Sequence, residues 1–80
     1  MVYIKKNYIK DNKVSYFYQP EKQGEFGEVI YDTDKETLEL IKIAEEDIPN
    51  KDFYLRHVFG MIQDFKDKNE YLEENTVCWY

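Results

Sequence analysis

The sequence predicts an α+β fold: a four-stranded antiparallel meander with one helix, from the C-terminal half, packed on one face. Three observations predict it. Residues 2–44 hold four β-prone runs joined by short polar connections. After Asn50 the apolar spacing changes from two to three or four residues. The tail TVCWY is β-prone again and could add a short terminal strand.

Taken in order, residues 2–10 carry Val2, Tyr3, Ile4, Tyr8 and Ile9. KDNK at 10–13 turns the chain, because Asp11 and Asn12 tolerate the positive φ angles of a tight hairpin. Residues 14–19 form the return strand, and Pro20 ends it, having no N–H to give to a ladder. EKQGEFG at 21–27 reads as a loop. EVIYD at 28–32 is the third strand and TLELIKIA at 37–44 the fourth, with TDKE between them. EEDIPN is a polar break. Tyr54, Val58, Met61, Ile62 and Phe65 then form one apolar stripe at helical spacing. Asn50 suits the N-cap, Asp52 the first turn, and Asn69 the stop after Lys66 and Lys68. Gly60 costs a helix about 1 kcal/mol relative to Ala, so it reads as a place where the helix lies close to the sheet.

Regular pairing around Asp11-Asn12 sets Ile9 opposite Val14, Asn7 opposite Tyr16 and Lys5 opposite Tyr18. Val2, Ile4, Tyr8 and Phe17 then share the other face. That set is the more apolar, so it is the expected core. In the second hairpin, Val29, Tyr31, Leu38 and Leu40 share one face, while Phe26, Glu28, Ile30, Glu39, Ile41 and Ile43 share the other. One helix covers one face of a sheet. The expected outer face therefore shows Tyr16, Tyr18, Ile30, Ile41 and Ile43 among Lys5, Glu28 and Glu39. A register slip of one residue would exchange the faces of the first hairpin.

Composition narrows the function classes. Eighty residues predict one domain, with bulk supplied by eight Tyr, five Phe and one Trp. The net charge of −6 repels nucleic acid and anionic membrane surfaces, and the eleven basic residues are scattered. No apolar run approaches the length of a membrane span, and the first ten residues lack the apolar stretch of a signal peptide. Cys78 is the single cysteine, so no intrachain disulfide can form. These features together predict a cytoplasmic protein. The excess of Lys over Arg, with a single Ala and abundant Ile, Asn and Tyr, is the mixture AT-rich codons give, as in a low-GC bacterium or its phage.

Sequence spacing offers little chemistry. His57 is the only histidine, at the border of the helical stripe, with no second His or Cys nearby to complete a metal site. Cys78 has no neighbouring positive charge to activate it. Glu45-Glu46-Asp47 and Glu73-Glu74 are acidic runs without a calcium-loop pattern. PEKQGEFGE lacks both phosphate-loop signatures, and Ser15 has no nucleophile elbow. No catalytic residue, metal site or cofactor is therefore expected. The leading expectation is a small acidic protein-interaction domain that binds a protein partner or a second copy of itself through the outer sheet face or a sheet edge. Two alternatives stand beside it. One is an acidic inhibitor that imitates nucleic acid against a DNA-binding enzyme. The other is a ligand-binding or enzymatic domain with a pocket near His57.

Overall fold

The computed structural model describes residues 1–50 and 53–78, apart from the side chain of Asn50. The strands are β1 (Val2–Lys10), β2 (Lys13–Pro20), β3 (Gly27–Asp32), β4 (Thr37–Lys42) and β5 (Glu74–Val77). A 3-10 turn (Glu45–Asn50) precedes the helix α1 (Phe53–Lys68). The α+β fold is as the sequence predicts. All strand pairs are antiparallel, in the order β4-β3-β2-β1-β5. The meander runs from β1 to β4 at one edge. The chain then returns through α1 and closes the opposite edge with β5 against β1.

Local chemistry accounts for the joints. Asp11 and Asn12 take φ of 50° and 65°, both positive as a tight hairpin turn requires. At the β3–β4 turn, Asp32 Oδ1 accepts the N–H groups of Asp34 and Lys35, at 2.9 and 3.0 Å. The helix stops at Asn69, whose φ of 54° is left-handed. Its N–H reaches Lys66 O at 3.0 Å, and the Glu70 N–H reaches Phe65 O at 2.9 Å, which is a Schellman closure. The capping expected of Asn50 and Asp52 lies outside the described residues. EEDIPN, read as a break, is the 3-10 turn, and it carries Asp47 into the interior.

The faces of the first hairpin differ from expectation. Ile9 does pair with Val14, but β1 is irregular between Lys6 and Tyr8. Asn7 is the extra residue. Beyond it Lys6, not Asn7, stands opposite Tyr16, and Ile4, not Lys5, stands opposite Tyr18. Such a bulge inserts one residue into one strand and reverses the alternation along it. Val2 and Ile4 are core, as expected. Tyr16 and Tyr18 join them, fully buried under α1. Tyr8 and Phe17, expected in the core, lie on the outer face.

The core is Val2, Ile4, Val14, Tyr16, Tyr18, Val29, Tyr31 and Ala44 from the sheet side, against Val58, Met61, Ile62 and Phe65 of α1. The helical stripe is as read from the spacing, with Tyr54 packed beside it. The second hairpin keeps its expected inner face, with Val29 opposite Leu40 and Tyr31 opposite Leu38. Gly60 does not bring α1 close to the sheet, because a Cβ there would meet nothing within 4 Å. Gly27 is the tight position. A Cβ on it would run into the Tyr18 ring and lie 2.5 Å from Ala44 N and 2.7 Å from Lys42 O.

Candidate functional site: the outer sheet face

Paired residues share a face, so the ladders define the surface opposite α1. One row reads Thr76, Tyr3 and Gln19. The next reads Glu74, Lys5, Phe17, Glu28 and Lys42, and the third Tyr8, Ser15, Ile30 and Glu39. Charges of both signs stand beside large apolar groups. Asn7 Nδ2 donates to Ser15 Oγ at 3.3 Å, and Ser15 Oγ donates to Glu28 Oε2 at 3.1 Å. This chain crosses three strands and satisfies the buried Ser15 hydroxyl.

A three-ring cluster lies across the first two of these rows. Phe26 meets Tyr3 edge-on at 6.1 Å between ring centroids and Phe17 at 6.4 Å. These are the separations and tilts aromatic pairs favour. Phe26 remains 37% exposed, and Tyr3 and Phe17 are half-buried. Lys22 Nζ lies 5.7 Å from the Tyr3 ring centroid, within cation–π range. Burial, with a smaller contribution from Glu74, pushes the Tyr3 phenol up from its ordinary value. Lys5, Phe17 and Phe26 line a shallow depression beside the cluster.

Phe26 reaches the face from a loop tied down along its length. Glu21 accepts from the N-terminal ammonium at 2.7 Å and from the Tyr54 hydroxyl at 3.0 Å. Gln19 Nε2 donates to Gly24 O at 2.8 Å. Glu25 N–H donates to Glu45 Oε2, and Glu45 N–H donates to Glu25 O, both at 3.1 Å. These ties limit the conformational freedom Phe26 has left to lose on contact with a partner.

Of the residues expected to form a contact surface, the structure leaves three outside the core. Ile30 is on the outer face, half-buried. Ile41 is exposed at a second irregularity, where Glu28 pairs with Lys42 and Val29 with Leu40. Ile43 follows β4, half-buried. Tyr16 and Tyr18 cannot take part, being sealed from solvent. Tyr16 instead donates from its hydroxyl to Leu72 O at 2.6 Å, and burial, aided by Glu73 and Tyr71, pushes its pKa well up. Phe17 and Tyr3 were missed as surface residues. The signal was in β2: Val14, Tyr16, Tyr18 and Pro20 are all bulky, whereas Phe17 alternates with Ser15 and Gln19.

His57 lines a depression between α1 and β5, with Arg56, Gly60, Asp64, Leu72 and Asn75. Its ring packs edge-on against Phe53 at 5.3 Å. No group of three or more His, Cys, Asp or Glu side chains among the described residues could hold a metal ion. Among them, no helix is long and apolar enough to cross a membrane. Compared with family models, with curated proteins and with solved structures, the chain matches none.

Proposed function

We propose that the chain is a non-catalytic protein-interaction domain whose outer sheet face docks on another protein. The observation that carries this reading is the Tyr3–Phe26–Phe17 cluster, delivered by a tethered loop onto the face that α1 does not cover. Interface centres favour rigid aromatic groups, and a surrounding rim of mixed charge gives orientation. Imitation of nucleic acid has less support. Lys5 stands beside Glu74 and Lys42 beside Glu28, so this face carries no unbroken acidic stripe.

The test is a photo-reactive phenylalanine analogue at position 26, expressed in the cell of origin, with the same group at the exposed helical position Asp64 as a control. A discrete protein adduct from position 26 alone is the expected result. Adducts from both positions alike, or from neither, would sink the proposal. A nucleic-acid adduct would replace it with a different one.

A further inference from the structure

We infer that β4 is a self-association edge, and that two copies of the chain join antiparallel through it into one continuous sheet. β4 is the outermost strand, so half of its backbone N–H and C=O groups point away from β3. Its apolar residues are also uncovered. Leu40 pairs with the fully buried Val29 on the helix side, yet it is 42% exposed, because α1 shields Val29 and Tyr31 but not the strand beyond them. Ile41 is 48% exposed. Leu38 is half-buried against the core. No proline interrupts the run.

Charge placement selects a second copy as the occupant. Glu39 and Lys42 are three residues apart, so regular alternation would put them on opposite faces. The irregularity at Ile41 puts them on the same one: Glu39 pairs with Ile30 and Lys42 with Glu28, both outer-face residues. A two-fold axis between Leu40 and Ile41 then sets Glu39 of each copy opposite Lys42 of the other. Leu40 falls opposite Ile41, and Leu38 opposite Ile43. Two opposite-charge pairs flank an apolar centre, all by symmetry. Other registers fit less well. Centring on Glu39 or on Lys42 sets like charges face to face, and centring on Leu40 sets Leu38 against Lys42. Lys42 is free to take this role, since its pair with Glu25 is loose at 3.4 Å and both side chains are largely exposed. Among the described residues Glu39 makes no ion pair. The same axis stands perpendicular to the sheet, so both outer faces point to one side and the joined sheet presents two Phe26 clusters.

Sedimentation equilibrium of the full chain up to about 1 mM tests this. Wild type is expected to gain mass toward a dimer as concentration rises. Glu39→Lys and Lys42→Glu should each weaken association about tenfold or more, because each turns two attractive pairs into repulsive ones. The double variant E39K/K42E should restore it, with melting temperatures unchanged at low concentration throughout. A monomeric wild type overturns the inference. So does a dimer indifferent to the single charge reversals, or one the double variant fails to restore. Glu39 and Lys42 also stand in the outer-face rows, but sedimentation of the isolated chain reads self-association alone and the adduct at position 26 reads the other partner, so failure of one is distinguishable from failure of the other.

Discussion

The Tyr18 hydroxyl donates to Asp47 Oδ2 at 3.1 Å, and both side chains are completely buried. The same hydroxyl accepts the Ala44 N–H at 3.1 Å, while Asp47 Oδ1 accepts the Tyr54 N–H at 3.3 Å. One tyrosine thus joins β2, the end of the β4 connection and the 3-10 turn, and the aspartate passes the link to the start of α1. Asp47 takes the role of helix-terminal acceptor from outside the helix.

Removing that hydroxyl is expected to be costly. Tyr18→Phe strips a partner from a buried carboxylate and from a backbone N–H, a loss of about 1–3 kcal/mol. Tyr31→Phe is the contrasting case. The Tyr31 hydroxyl is buried without a hydrogen bond; Gln63 approaches it without reaching bonding geometry. Its removal should be neutral or stabilising. Urea denaturation of both variants checks this, and equal losses would contradict the assignment.

The two glycines described above should respond in opposite directions to alanine. Gly60→Ala adds a methyl to open space and should stabilise by about 0.5–1 kcal/mol, since φ there is ordinary and Ala is the better helix former. Gly27→Ala forces a methyl into the Tyr18 ring and the backbone near Ala44, and should cost roughly 1–3 kcal/mol. Thermal melting decides; stabilisation by both would show the β3 entry to be looser than the packing implies.

Alkaline pH should unfold the protein. Burial raises the phenols of Tyr3, Tyr16, Tyr31 and Tyr71 above their ordinary 10.0. A raised phenol keeps its proton longer folded than unfolded. Its contribution is full below pH 10.0 and is lost as pH climbs toward the folded value. Tyrosinate absorbance should therefore rise together with loss of the far-ultraviolet signal. Titration of most tyrosines with the fold intact would refute this.

Asp32 should govern part of the acid limb. The Lys35 N–H, with Lys13 and the Asp34 N–H, lowers its pKa from 3.8 against an opposing effect of burial. A lowered carboxyl contributes stability that is present above 3.8 and lost as pH falls through the folded value. Asp32→Asn keeps an acceptor for the turn but removes the charge. The variant should be less stable than wild type at neutral pH and converge with it in acid. A constant difference across the range would assign the effect to turn geometry instead.

The elements and several of their joints were legible in the chain itself. Alternation in β3 and β4, the Asp11-Asn12 turn, the stripe from Tyr54 to Phe65 and the stop at Asn69 are local signals, written in residues adjacent in sequence or one turn apart. They placed Ile30 on the outer face and Val29, Tyr31, Leu38 and Leu40 on the inner one. Tertiary structure decided the rest. The bulge at Asn7 reverses which β1 residues face β2 partners inward. A single extra residue leaves almost no trace in composition, yet it moves Tyr16 and Tyr18 into the core and Phe17 onto the surface cluster. The interior place of Asp47 depends on the Tyr18 hydroxyl, 29 residues away in sequence. The exposure of Leu40 and Ile41 depends on how far α1 reaches across the sheet. Each of these is set by which surfaces meet after the chain has closed; of them, only the inward set of β2, bulky residues alternating with Ser15 and Gln19, left a trace in short-range periodicity.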